Sequence, residues 1–127
     1  MKRVIITRQK KLSSRLMPFY VIPGSKQAFM AQFGLVGDIC PHSWDGQPVA
    51  RIDPSVLACN GMPIKSGEQI VLELDDSVMT LFASTTTGSL SNEVSLQGGQ
   101  FINGAETFYL NMTTKGVMKT VSYPWFE

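Results

Sequence analysis

The sequence predicts a mainly β fold, an antiparallel β-sandwich or open barrel of about seven strands with one or two short helices. Hydrophobic and polar residues alternate in several short segments, and turn-forming residues separate these segments. The apolar share of 43% with 17% charged residues is typical of a folded globular chain. At 127 residues the chain is predicted to form one domain, residues 1–127, with a helical or loop insert at about residues 25–61.

Two strands are predicted before residue 24. Residues 2–7 are rich in β-branched side chains, which favour an extended backbone. Residues 15–22 predict a second strand, which ends at Pro23-Gly24. Pro18 cannot donate a backbone hydrogen bond, so it favours an edge position or a bulge for this second strand.

Two short helices are predicted between the second and third strands. Ser25 is a suitable N-cap for an amphipathic helix over residues 26–33, and a following glycine can supply its left-handed end. Asp53-Pro54 marks the start of a second helical segment, which Asn60-Gly61 closes. Turn-forming pairs fill the stretch between the two helices, which is therefore predicted to be a loop.

The middle of the chain has the pattern of a β-meander. Residues 70–74, 78–83 and 90–96 show period-two alternation, and Asp75-Asp76-Ser77 is interpreted as a hairpin loop. Because consecutive strands of a meander pair with each other, these three are predicted to lie side by side.

A second hairpin is predicted near the end of the chain. Residues 106–112 alternate hydrophobic and polar side chains, and residues 117–123 follow a turn at Lys115-Gly116. Gly98-Gly99 breaks the chain before this hairpin.

The middle segment resembles small bacterial β-sandwich modules of the PEGA or immunoglobulin-like kind. The resemblance is carried by IKSGEQIVLEL at residues 64–74, TLFAS at residues 80–84 and SNEV at residues 91–94. In those modules a lysine-glycine-glutamate turn leads into an amphipathic strand and then a return strand. The resemblance covers about a third of the chain. It implies a binding, spacer or assembly role without catalysis, and it supplies no site residues.

Charge, hydropathy and cysteine usage exclude several classes of protein. A net charge of +1 provides no overall field for steering nucleic acid, which is not expected as a partner. No apolar run approaches the ~20 residues of a membrane span, and no export signal is recognised. Cys40 and Cys59 are expected to be unbridged thiols of a cytoplasmic protein, since disulfide scaffolds usually carry several pairs.

Potential metal ligands cluster in the predicted loop. They are Asp38, Cys40, His42 and Asp45. A zinc site would need a second cysteine or histidine pair at a defined spacing, so a loop or a partly buried thiol is the favoured interpretation. Cys40 and His42 also lack an identifiable orienting partner for nucleophilic catalysis. No catalytic residue, metal or cofactor is therefore predicted.

The carboxylates and the basic residues each allow two interpretations. Turn and solvent-facing roles account for the carboxylates, although two carboxyls across a cleft could support glycosidase chemistry. These carboxylates are Glu68, Glu73, Asp75, Asp76, Glu93 and Glu106. Six of the eleven basic residues, in contrast, cluster at the start of the chain: Lys2, Arg3, Arg8, Lys10, Lys11 and Arg15. Protection of an edge strand is the favoured role of this cluster, and contact with phosphates or anionic lipid is the alternative.

Aromatic residues outside the clearest core positions offer a second kind of site. They are Trp44, Tyr109, Tyr123, Trp125 and Phe126. Trp44 with Asp45 and Gln47 has the composition of a site that stacks on sugar rings, whereas Trp125 and Phe126 more commonly close a core.

The strong strand pattern without a convergent catalytic set predicts a non-enzymatic interaction or assembly module. Its partner would be another protein or a second copy of the chain, giving a homo-oligomer. The alternative is a carbohydrate or other small-ligand binding domain that uses Trp44, Asp45 and Gln47. A small hydrolase with acidic residues is a third hypothesis.

Overall fold

The computed structural model describes residues 1–10, 17–35, 52–86, 88–117 and 121–127. These residues contain nine strands and two helices, so the predicted mainly β class is confirmed. The strands are β1 (Lys2–Arg8), β2 (Phe19–Pro23), β3 (Met62–Ile64), β4 (Gln69–Leu74), β5 (Thr80–Ser84), β6 (Val94–Ser95), β7 (Gln100–Ile102), β8 (Ala105–Val117) and β9 (Val121–Phe126). The helices are α1 (Lys26–Phe33) and α2 (Pro54–Asn60), both between β2 and β3 in the chain.

The described strands form two sheets. Sheet A has the order β4-β1-β8-β7, and β9 pairs with the C-terminal half of β8. Sheet B has the order β3-β2-β5-β6. One pair departs from the predicted antiparallel arrangement, because β1 runs parallel to β8. Alternation of hydrophobic and polar residues has the same period in both arrangements, so it does not report strand direction.

Hydrophobic residues form two clusters, one on each face of sheet B. The inner cluster joins the two sheets and contains Val4, Ile6, Phe19, Val21, Ile64, Leu72, Leu81, Ala83, Leu96, Met112 and Phe126. The second cluster joins sheet B to both helices and contains Tyr20, Ile22, Phe29, Ile52, Leu57, Phe82 and Leu90. Sheet B is therefore covered on both faces, and the layers follow the order helices, sheet B, sheet A.

β1 lies inside sheet A, where β4 and β8 flank it on its two sides. The predicted role of its basic residues in edge protection is therefore wrong for this strand. Lys2 is buried instead, and its Nζ donates to the carbonyl oxygens of Val78 at 2.6 Å and Leu96 at 2.8 Å. Arg8 is also buried, at the other end of the strand. Lys10 is exposed, and residues 11–16 lie outside the described residues.

β2 also lies inside its sheet, between β3 and β5. Pro18 directly precedes β2, so its missing N–H removes no bond from the ladder. The edge position that Pro18 suggested for β2 is therefore wrong.

The predicted meander is divided between the two sheets. β4 pairs with β1 in sheet A, whereas β5 pairs with β2 and β6 in sheet B. The turn at Asp75-Asp76-Ser77 therefore crosses from one sheet to the other and is not a hairpin loop. Its backbone is fixed locally, because the Asp75 carboxylate accepts a bond from the Ser77 amide at 2.9 Å.

The hairpin predicted near the end of the chain is confirmed, but Lys115 and Gly116 belong to its strands and do not form its turn. Lys115 and Gly116 pair with β9, and residues 118–120 between the strands lie outside the described residues. A preceding hairpin joins β7 to β8 and was not predicted. Its two-residue turn uses Asn103 and Gly104 at φ values of 51° and 80°, a conformation that an Asn-Gly pair favours.

Both predicted helices are confirmed with their caps. The Ser25 hydroxyl accepts a bond from the Ala28 amide at 3.2 Å, and Gly34 ends α1 in the left-handed conformation. The Asp53 carboxylate accepts a bond from the Ser55 amide at 2.8 Å at the start of α2.

Candidate functional site

Sheet A has one face toward the inner core and one face away from it, which we call the outer face of sheet A. No described element covers the outer face, since both helices pack against sheet B. Strand register and alternation place the following residues of β1, β4, β8 and β9 on it: Arg3, Ile5, Thr7, Gln69, Val71, Glu73, Thr107, Tyr109, Asn111, Thr113, Lys115, Tyr123 and Trp125. Thr107 is buried and the other twelve are exposed or half-buried, which makes this face the candidate site.

A row of hydrophobic residues crosses the centre of the outer face. Ile5 of β1 lies opposite Val71 of β4 on one side and Tyr109 of β8 on the other. Val71 is 49% exposed and Tyr109 is 66% exposed. Leaving such side chains in water is costly, so an exposed row of them is typical of a binding surface.

Polar side chains border the hydrophobic row on both sides. On one side, Gln69 Nε2 donates to Thr7 Oγ1 at 2.9 Å, and Asn111 lies opposite Thr7. On the other side, an Arg3 guanidinium nitrogen lies 3.2 Å from Glu73 Oε1. The face therefore combines an apolar centre with a rim of hydrogen-bonding groups, as protein recognition surfaces do.

An aromatic group occupies the part of the outer face formed by β8 and β9. The rings of Tyr123 and Trp125 meet edge to face, with their centroids 6.5 Å apart. Lys115 Nζ lies over the Trp125 ring at 4.2 Å from its centroid. These two contacts restrict the orientation of the indole ring.

The structure separates the aromatic residues that the sequence singled out. Phe126 is buried in the inner cluster, whereas Tyr109, Tyr123 and Trp125 share the outer face. The expectation of core closure therefore holds for Phe126 and fails for Trp125, because neighbouring residues of a strand point to opposite faces.

The ligand site predicted at Trp44, Asp45 and Gln47 lies outside the described residues, and so do Asp38, Cys40 and His42. The metal and nucleophile interpretations of that loop therefore stay untested.

Cys59 is exposed and free in α2. With Cys40 outside the described residues, the expectation of two unbridged thiols stays a prediction. Among the described residues, no three His, Cys, Asp or Glu side chains are grouped so that they could hold a metal.

Several carboxylates act locally as hydrogen-bond acceptors. Glu68 Oε1 accepts a bond from the Lys65 amide at 3.0 Å, and Glu93 Oε2 accepts one from the Lys26 amide at 2.8 Å at the start of α1. The bonds from Ser77 hold the pKa of the Asp75 carboxyl below its usual value. These contacts agree with the turn and solvent-facing roles that the sequence suggested.

The sequence identified Tyr109, Tyr123 and Trp125 one by one but did not bring them together. Tyr109 lies between Phe108 and Leu110, Trp125 precedes Phe126, and Tyr123 is two residues before Trp125, so alternation places all three on a solvent-facing side. Only the pairing of β8 with β9 and β1 shows that these sides form one surface.

No family model, curated protein or solved structure matches this chain. The resemblance to PEGA-like or immunoglobulin-like modules therefore stays a prediction.

Within the described ranges, no helix combines the length and the apolar character that crossing a membrane requires.

Proposed function

We propose that this protein is a non-catalytic binding module whose recognition surface is the outer face of sheet A. The observation that carries the proposal is the row formed by exposed Val71 and exposed Tyr109 on either side of half-buried Ile5, at the centre of that face. Val71 and Tyr109 are exposed and flank Ile5 on this face, whereas Met62, Met79 and Phe101 are exposed at separate places, so the outer face is where exposed hydrophobic residues lie side by side across paired strands. Tyrosine and tryptophan are also enriched at recognition surfaces.

The local roles of the carboxylates support a binding role over catalysis. A hydrolase needs carboxyls that converge on a substrate, whereas Glu68, Asp75 and Glu93 each accept a backbone amide bond in a turn or at a helix end.

The proposal keeps the cytoplasmic location predicted from the sequence. Reaction of the native protein with a thiol reagent tests the exposed thiol of Cys59, and subcellular fractionation tests the location.

The experiment compares two double variants with the wild type. Val71→Ser with Tyr109→Ser removes the exposed centre of the outer face. Phe101→Ser with Met62→Ser is the matched control, because these residues are 75% and 40% exposed and lie off the outer face, in β7 and in β3 of sheet B. Each protein is tested for binding to peptide and oligosaccharide arrays and for self-association by sedimentation equilibrium.

We expect a ligand or a self-association that the first variant loses and the control keeps. Since truncation of central interface residues commonly costs more than 1 kcal/mol, binding should weaken by at least about fivefold. Binding that survives the Val71 and Tyr109 substitutions, or its absence from every assay, would contradict the proposal.

A further inference from the structure

We infer that the ligand of the outer face is an uncharged carbohydrate chain, bound by stacking of sugar rings on Tyr109 and Trp125. This inference rests on the proposed function and specifies its ligand. A sugar ring presents an apolar C–H face that stacks on an aromatic ring, and hydroxyl groups at its edge that form hydrogen bonds. The outer face offers aromatic rings and polar groups in alternation.

The spacing of the rings suits a ligand that is extended. Trp125 lies opposite Thr113, which is four residues beyond Tyr109 along β8. At ~3.3 Å per residue the two positions are separated by roughly 13 Å along the strand. Asn111 and Thr113 lie between them on the same face, and their amide and hydroxyl groups can donate to and accept from sugar hydroxyls.

The charges of the outer face favour a ligand without net charge. Arg3 is paired with Glu73 at 3.2 Å, so these two charges compensate each other. Lys115 lies over the Trp125 ring. The Glu127 amide donates to the Asn111 carbonyl at 3.0 Å, so the pairing with β8 continues past β9 and alternation places Glu127 on the same face as Trp125. The described part of the face then carries two basic groups, Arg3 and Lys115, and two acidic groups, Glu73 and Glu127, which offers no charge complementarity to a polyanion.

The Trp125 ring is held in place before any ligand binds. Lys115 Nζ lies over one face of the ring, 4.2 Å from its centroid, and Tyr123 meets the ring edge to face, so the opposite face is the one that we infer to stack on a sugar. A ring that is already oriented loses less conformational entropy on binding, so a weak stacking contact can be retained.

The size of the face favours a carbohydrate chain over a second copy of the protein. From β4 to β9 the sheet spans three strand spacings, and from Thr107 to Lys115 it spans eight residues, which gives a footprint of roughly 400 Å². A standard stable protein interface covers about 800 Å² per partner. An oligosaccharide needs much less area than this.

The test is affinity electrophoresis through native gels that contain a soluble polysaccharide. The neutral probes are galactomannan, xyloglucan and mixed-linkage β-glucan, and alginate is the charged probe. The variants are Tyr109→Ala and Trp125→Ala, and Phe101→Ala is the matched control because its exposed ring lies off the outer face. Circular dichroism verifies that each variant is folded. Tyr109→Ala keeps the test decisive if Trp125→Ala fails to fold.

We expect at least one neutral polysaccharide to retard the wild type and Phe101→Ala equally. Tyr109→Ala should weaken this binding by about tenfold or more, in the range of a central aromatic contact. Retardation by alginate alone, lost as salt rises, would overturn the inference, and so would no retardation by any polysaccharide.

Failure of the inference can be told apart from failure of the proposed function. If no polysaccharide binds but a peptide or a second copy binds in a Tyr109-dependent manner, the carbohydrate inference is wrong and the recognition surface stands. If a polysaccharide binds independently of both Tyr109 and Trp125, both are wrong.

Discussion

Residues of the same chemical type have different roles within β1. Arg3 and Arg8 are five positions apart, so alternation places them on opposite faces of the strand. Arg3 is on the outer face and pairs with Glu73. The Arg8 side chain is fully buried, and its Nη1 donates to the carbonyl oxygens of Met17 at 2.8 Å and Ile64 at 2.7 Å. Arg8 therefore connects sheet A to the start and edge of sheet B.

Arg8 stays charged at neutral pH although it is buried. Burial lowers the pKa of its guanidinium to about 10, which is still far above neutrality. This pKa is lower in the folded protein than in the unfolded chain, so the unfolded chain binds the proton more tightly. The contribution of Arg8 to the free energy of unfolding therefore changes only above about pH 10, where it increases with pH. The guanidinium also stacks on Phe19, with its carbon 3.7 Å from the ring centroid.

We predict that Arg8→Ala lowers the free energy of unfolding by about 3–5 kcal/mol, because it leaves two carbonyl acceptors unpaired and opens a cavity beside Phe19. Arg3→Ala is the matched control in the same strand, and its cost should be within about 1 kcal/mol, as for other exposed ion pairs. Urea unfolding measures both. Equal effects of the two substitutions would contradict this role of Arg8.

Among the elements, α2 shows how a short helix depends on its cap. It has seven residues, begins with Pro54 and buries Leu57 against sheet B. The Asp53 carboxylate accepts bonds from the amide of Ser55 at 2.8 Å and from its hydroxyl at 2.7 Å. These bonds hold the pKa of Asp53 below its usual value of 3.8, since they favour the ionised carboxylate.

We predict that Asp53→Ala lowers the melting temperature at neutral pH and that the difference from wild type shrinks as the pH falls below 3.8. The sign follows from the lowered pKa: the unfolded chain binds the proton more tightly, so the contribution of Asp53 is complete above 3.8 and is lost as pH falls through the folded pKa. Thermal unfolding at pH 7 and pH 2.5 measures the effect.

Cys59→Ala is the control for this measurement, because Cys59 is exposed in the same helix and has no carboxyl group. Its difference from wild type should be the same at both pH values. A destabilisation by Asp53→Ala that stays constant from pH 7 to pH 2.5 would rule out the ionised cap.

In the whole molecule, β1 and β8 form the centre of sheet A and carry its one parallel pair in the described residues. β1 pairs along its length with β4 on one side and with β8 on the other. β3 and β6 are short strands at the two edges of sheet B. Sheet A therefore depends on contacts between the beginning and the end of the chain.

We predict that amides of β1 and of residues 106–112 exchange with solvent most slowly and that those of β3 and β6 exchange faster. Central strands open only when much of the molecule unfolds, whereas edge strands open locally. Hydrogen exchange followed by mass spectrometry measures both groups of amides in one experiment. Exchange of β1 as rapid as that of β6 would contradict the central position of β1.

The sequence singles out several residues of the outer face but does not show that they form one surface. Tyr109, Tyr123 and Trp125 are predicted to be aromatic residues outside the clearest core positions, whereas the ligand site is predicted in the loop at Trp44. The row of Val71, Ile5 and Tyr109 could not be predicted, because its three members come from strands paired over long sequence separations.

The sequence by itself determined the features that depend on neighbouring residues. Ser25 and Asp53 begin the helices as predicted, and period-two alternation located most strands, because caps and alternation act within a few residues. Only the tertiary structure decided that β4 and β5 belong to different sheets, that β1 is central and that Lys2 and Arg8 are buried. Strand partners are chosen by contacts between distant segments, and an alternating strand fits many partners equally well.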